Sequence, residues 1–256
     1  MISDIKYFEN MPEDVYRAAE GISYSQLKYC KTPAHFIAAK NQPTYQTDEM
    51  LLGTLLHELI FTTEENYVVK PKGMSFTSKK GKLWRKNQTQ RIITSEMDAS
   101  LKGMLRSICE SKASDLLRAT KKEVSAFGKH SSGLAVKGRA DMVGVDKENL
   151  TFLVDLKTCR DASPREFART TVGKYHRQAA MYCDLWGCSA FGFIAVEVEP
   201  PYAVKVYWLD ERSIDQGRFE NNWDLNRLAE CYKTNVFPAY GEHHESISIP
   251  EYMFRS

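Results

Sequence analysis

Apolar residues change their spacing partway along the chain. Up to about residue 110 they follow a helical period, and from about residue 123 they mostly alternate. Ser23-Tyr24-Ser25-Gln26 has the form of a capping box, with Ser23 as N-cap and Gln26 three residues on. It predicts a helix reaching about Ala39, interrupted at Thr32-Pro33 because a residue before proline avoids the helical region. A second helix is predicted over about 48–61, where Leu51, Leu52, Leu55, Leu56 and Leu59 form a wide apolar face and Gly53 marks the close approach of another element. A third covers about 95–110.

In the middle of the chain, 123–128 predicts a short strand. Residues 134–145 and 151–158 alternate on either side of the polar turn Asp146-Lys147-Glu148-Asn149, which predicts a hairpin. Ser163-Pro164-Arg165-Glu166 supplies an N-cap, a proline at the first helical position and a glutamate at the third, so a helix starts there. Another is predicted over about 174–186. Strands over 190–199 and 202–209 follow, and Asp210 caps a long helix to about Lys233. The pattern is that of one α/β domain over 1–256, with its core at about 21–237, helical elaboration before the sheet, and an irregular tail over 238–256.

Charge changes this picture locally rather than globally. Lys+Arg is 35 and Asp+Glu is 33, so a polycation that binds nucleic acid through bulk charge is excluded, while a local basic groove is not. Residues 70–91 contain Lys70, Lys72, Lys79, Lys80, Lys82, Arg85, Lys86 and Arg91 and no acidic residue, with Trp84 among them. With Gly73 and Gly81 they read as a flexible basic loop, either simply solvated or tracking phosphates on a nucleic acid. None of the six cysteines forms a C-x-x-C pair, which argues against structural zinc and a disulfide framework and for a reducing, cytoplasmic setting. The N-terminus has no leading apolar run, so no signal peptide is expected. The apolar stretch 185–196 is shorter than the roughly 20 residues of a membrane helix.

The chemistry concentrates in Gly138-Arg139-Ala140-Asp141 and Val154-Asp155-Leu156-Lys157. Residues two apart on a strand share a face, so Asp155 and Lys157 point one way and Val154 and Leu156 the other. If the hairpin folds about Glu148, residues whose numbers sum to 296 face each other, and Asp141 meets Asp155. Two carboxylates with Cβ atoms roughly 5 Å apart repel, and a divalent cation, Mg²⁺ or Mn²⁺, is the expected counter-charge. Lys157 beside them is suited to stabilise charge on a phosphoryl oxygen. The alternative is an ordinary strand face with a cross-strand ion pair. His57-Glu58 lacks the second histidine of a zinc protease, because Phe61 stands there.

Asp141…Asp155-Leu156-Lys157 resembles the core of the PD-(D/E)XK nucleases. Gly53-Thr54-Leu55-Leu56-His57 resembles the helix that donates a metal-binding histidine in the RecB-related subgroup, and Gln178-Ala179-Ala180-Met181-Tyr182 its Q-x-x-x-Y signature. The opening Gly21-Ile22-Ser23-Tyr24-Ser25-Gln26-Leu27, with Thr32-Pro33-Ala34 after it, is similar to the start of a RecE-type nuclease domain. The resemblance spans about 21–237. It implies a central mixed sheet flanked by helices, and Mg²⁺-dependent hydrolysis of linear double-stranded DNA from its ends, 5′→3′, with Mn²⁺ able to substitute. It also implies a ring-shaped homo-oligomer, trimer or tetramer, and a RecT-type single-strand annealing partner, possessions of phage and prophage recombination systems.

On this resemblance His57, Asp141, Asp155 and the Leu156 carbonyl hold the metal, Glu123 serves a second ion, and Lys157 is the catalytic lysine. Gln178 and Tyr182 hold the DNA backbone and support Lys157. Arg139, Arg160, Arg165, Arg169 and Arg177 are expected on phosphates. Two alternatives stay open: a non-catalytic DNA-binding recombination protein, and an iron–sulfur nuclease of the AddB kind built on Cys30, Cys183, Cys188 and Cys231.

Overall fold

The computed structural model describes residues 2–40, 42, 46–62, 65–241 and 244–254. In chain order its elements begin with β1 (Ile2–Phe8), α1 (Glu13–Ala18), α2 (Tyr24–Leu27), α3 (Pro33–Lys40) and α4 (Asp48–Phe61). Next come β2 (Tyr67–Val69), α5 (Lys79–Lys86), β3 (Arg91–Ile93), α6 (Ser95–Glu110) and α7 (Ala113–Ala119). The central strands are β4 (Lys121–His130), β5 (Ala135–Val145) and β6 (Thr151–Cys159). They are followed by α8 (Pro164–Phe167), a π-helical turn (Ala168–Val172) and α9 (Gly173–Trp186). The chain ends with β7 (Ala190–Glu197), β8 (Val204–Trp208), α10 (Glu211–Thr234) and a 3₁₀ turn at Glu251–Met253 in the otherwise irregular tail.

Six strands form one mixed sheet in the order β1-β4-β5-β6-β7-β8. Only β6 and β7 run parallel, joined through α8 and α9. Helices cover both faces. On one side α9, α10 and the α2–α3 region pack on Leu153, Phe191 and Phe193, and on the other α4, α6 and α7 pack on Met142, Val154, Leu156 and Ile194. This is the flanked mixed sheet that the sequence led us to expect.

The hairpin register is set by turn chemistry. Asp146 Oδ1 accepts the N–H groups of Glu148 and Leu150, each at 2.9 Å, and Asn149 takes a positive φ of 66°. Met142 therefore pairs with Val154 and Val145 with Thr151, the predicted register. Caps fall where the sequence places them: Ser23 N–H donates to Gln26 Oε1 (3.0 Å), and Asp210 Oδ1 accepts from Ser213 N (2.7 Å). Gly53 does mark a close approach, since a Cβ there would lie 3.3 Å from Thr158 Oγ1 on β6.

Several elements differ from the sequence expectation. β1, α1 and α7 are additions. The two helices expected after Ser163 are joined through the π-helical turn. Residues 70–91, expected as a flexible loop, hold α5, with Ser78 Oγ accepting from Gly81 N at 3.0 Å. Among the described residues no helix is long and apolar enough to cross a membrane.

Candidate active site

The β5–β6 ladder stops at Met142–Val154, one residue short of the acidic pair. Val136 and Ala140 belong to the α9 side of the sheet and Met142 to the α4 side, so the alternation of β5 slips by one at Asp141. Glu123, across from the slip and between the Lys122–Met142 and Val124–Ala140 pairs, has φ of 47°. Asp141 thus does not form a regular facing pair with Asp155. Its Oδ2 instead accepts the Leu156 N–H at 2.9 Å, filling the gap where a ladder bond would be.

Three elements close on these carboxylates. From α4, His57 Nε2 lies 2.7 Å from Asp141 Oδ2, its ring held edge-on to Phe61. From β6 itself, Lys157 Nζ pairs with Asp155 Oδ2 and sits 4.4 Å from the centre of the Tyr175 ring. From α9, Gln178 Nε2 donates to Asp155 Oδ1 at 2.8 Å. Asp155 is 2% exposed and Asp141 9%. His57, Leu156, Lys157, Tyr175 and Glu123 line an open cleft of about 840 Å³ in front of them.

Electrostatics follow from this burial. Asp155 is pushed up to about 6, first by desolvation and then by the Asp141 charge, with Lys157 pulling the other way. Desolvation acts on Asp141 too, but His57, Lys157 and the Leu156 N–H outweigh it and hold its carboxyl below the ordinary range. Burial disfavours the charged forms of His57 and Lys157. For His57 the Asp141 carboxylate overcomes that cost, and for Lys157 the Asp155 and Asp141 carboxylates do, so both are raised. Within the protein the Lys157 ammonium faces Asp155 and the His57 imidazole bonds Asp141.

The donor chemistry, two carboxylates and an imidazole, suits a hard or borderline divalent cation. Asp155 Oδ2 is buried against the Lys157 ammonium yet accepts no well-directed hydrogen bond. As arranged, no three His, Cys, Asp or Glu side chains among the described residues converge as a ligand group. An ion held by His57, Asp141 and Asp155 would take over bonds these groups now make within the protein.

Other expected site residues separate. Tyr182 is buried, against Trp186 and Phe191, and a Cβ on Gly138 would lie 2.8 Å from its ring. It packs α9 on β5 rather than reaching the cleft or Lys157. Arg139 lines the cleft, but its guanidinium is committed to Ser125 Oγ (3.1 Å), Met11 O (2.7 Å) and Glu13 (2.6 Å), over the Tyr16 ring. Arg177 faces inward, to Asn221 Oδ1 (3.1 Å) and Asp224 Oδ2 (2.6 Å), stapling α9 to α10. Both guanidiniums are thus engaged within the protein. Arg160, Arg165 and Arg169 are exposed, with Arg160 on Glu49 (3.1 Å) and Arg169 on Glu166 (2.5 Å).

Sequence reasoning missed Tyr175, Arg17 and Thr171, which also line the cleft. Only Tyr175 left a signal, three residues before Gln178 on the same helix. The four cysteines of the iron–sulfur alternative do not gather. Cys183 and Cys188 are neighbours, with Sγ atoms 2.8 Å apart, whereas Cys30 faces Arg227, and no three such ligands meet among the described residues.

Residues 23–250 match the family described as a PDDEXK-like domain of unknown function (DUF3799). The chain belongs to this family. A search of curated proteins finds no match. Among solved structures, the PDDEXK-like chain is similar to a candidate exonuclease from Eubacterium rectale, at 13% identity and a TM-score of 0.63, covering 95% of this chain and 96% of that one. Likeness at that identity concerns the fold. A weaker likeness, with a TM-score of 0.35 and 12% identity over 90% of this chain and 77% of the other, is to Candida albicans Rai1 in complex with pU5 and Mn²⁺. The family is PDDEXK-like, and the fold is shared with the Eubacterium rectale structure.

Proposed function

We propose that the protein is a divalent-metal-dependent exodeoxyribonuclease of the RecE type. It hydrolyses phosphodiester bonds of linear double-stranded DNA in the 5′→3′ direction and leaves 3′ single strands for annealing recombination. One observation carries this reading: Asp141, Asp155 and Lys157, from two adjacent strands, meet His57 from α4 behind one open cleft. Membership of a PDDEXK-like family supports it.

Each residue has a part that its placement allows. Lys157 carries its charge at the cleft wall, fixed between Asp155 and the Tyr175 ring, so it is oriented before substrate arrives. That is the arrangement needed to stabilise negative charge building on a phosphate oxygen. Gln178 fixes the Asp155 carboxylate through Oδ1, and the Leu156 N–H fixes Asp141. Mg²⁺, or Mn²⁺ in its place, would be held by His57, Asp141, Asp155 and the Leu156 carbonyl, with Glu123 serving a second ion, and supplies Lewis-acid neutralisation of phosphate charge when bound. A non-catalytic DNA-binding role would leave this buried, mutually oriented set without a use.

The test is digestion of 5′-labelled linear duplex and covalently closed circular duplex, with Mg²⁺ and with a chelator. The linear substrate is expected to lose its label in Mg²⁺ alone, while the circle survives. Equal cutting of the circle would remove the end-dependent part of the reading, and an intact linear duplex in both Mg²⁺ and Mn²⁺ would remove all of it.

A further inference from the structure

The basic segment between β2 and β3 is folded, and its cations are sorted. Phe76 and Trp84 stack on each other, with ring centres 6.2 Å apart and planes at 15°. Lys70 Nζ lies 4.8 Å from the centre of the Phe76 ring and the Arg85 guanidinium 5.4 Å from it. Gly81 packs so closely on the turn before α5 that a Cβ would lie 2.0 Å from Ser75 O. This side of α5 is consumed in holding the segment together.

The opposite side is a lysine stripe. Lys79, Lys82 and Lys86 stand at helical spacings of three and four on one face of α5, spanning about 10 Å, and all three are exposed. The only ion pair of residues 70–91 among the described residues is Arg91 Nη1–Glu58 Oε1 at 2.5 Å. Three like charges so close together repel, and nothing within the segment offsets them. That same Arg91–Glu58 pair lines the active-site cleft and adjoins His57, so the end of the segment reaches the cleft wall. Lys70 N–H bonds to Ile93 O at 2.8 Å, pinning its start beside its end.

We propose that the Lys79–Lys82–Lys86 stripe binds the sugar–phosphate backbone of the DNA duplex flanking the cleft. Backbone phosphates, rather than bases, are the partner. The aromatic faces that could stack on bases are turned onto each other and onto Lys70 and Arg85, whereas the lysines are free point charges. This inference rests on the nuclease reading above for the identity of the polyanion.

The test measures binding of a fluorescent linear duplex in chelator, so that no cutting occurs, over a range of salt. Lys79→Ala/Lys82→Ala/Lys86→Ala should weaken binding at least about tenfold near 0.1 M salt and flatten the salt slope by about 2 to 3. The triple arginine variant, which keeps the charge, should bind as the parent does. Hydrolysis by the parent with unchanged affinity and slope in the alanine variant would overturn this contact and leave the nuclease reading standing. A parent that binds duplex through these lysines but never hydrolyses it would do the reverse, and a parent that does not bind duplex at all would overturn both. The melting temperature of the alanine variant, whose changes are all at exposed positions, should match the parent's.

Discussion

Lys157→Ala is expected to lower the rate of linear-duplex hydrolysis by about 10²–10³, the usual cost of losing one preorganised charge-stabilising group. The same change removes the cation that faces Asp155, leaving a carboxylate that is 2% exposed beside a second one at Asp141. Stability should therefore fall as well, by about 3 kcal/mol, because breaking a buried pair strands a charge. The two effects separate in the double variant. Adding Asp155→Asn removes the stranded charge and should recover most of the melting temperature, but it cannot restore cutting. Hydrolysis rates and thermal melts of the two variants decide the matter. Wild-type cutting by Lys157→Ala would end the role given to this lysine. Recovery of cutting in the double variant would mean that Lys157 acts only by neutralising Asp155.

Arg177→Ala should destabilise the protein by about 3 kcal/mol, a melting shift of about 10 °C for a chain of this size. Its guanidinium holds Asn221 and Asp224 of α10 from α9, and Glu220 lies 3.7 Å away. Arg227 also reaches Asp224, at 3.0 Å, so the loss is partial rather than complete. Duplex affinity and its salt slope, measured at a temperature where the variant is folded, should match the parent. A flattened slope with an unchanged melt would show that Arg177 meets phosphate and that the staple is incidental.

These two arginine and lysine cases show where sequence reading succeeds and where it runs out. The hairpin was legible because local chemistry fixes it: Asp146 closes the turn on its own backbone, and the register follows for residues up to Met142. Gly53 was legible for a similar reason, as a helical glycine that an adjacent strand needs. The slip at Asp141 was not, because it arises from a side chain replacing a ladder bond and leaves no periodic trace. Arg139 and Arg177 look alike in sequence to Arg160 and Arg165. Their partners, Glu13 and Asp224, lie far away in the chain, and only tertiary packing tells a staple from a phosphate contact. Gln178 and Tyr182 share a helix face, yet one meets a carboxylate and the other a glycine of β5.

β1 escaped notice because it is an edge strand with mostly exposed side chains and no clean alternation. It is held by its ladder to β4 and by Tyr7, whose hydroxyl donates to Leu185 O at 2.9 Å. α5 escaped because four lysines in eight residues read as solvent-loving coil, whereas the aromatic stack and the Ser78 cap that fold it are visible only in three dimensions.

Gln178 and Arg177 are consecutive on α9, one gripping the carboxylate on β6 and the other gripping α10. The orientation of Asp155 is thereby tied to the packed α9–α10 pair. The acid and the helical pair beneath it thus share one span of α9.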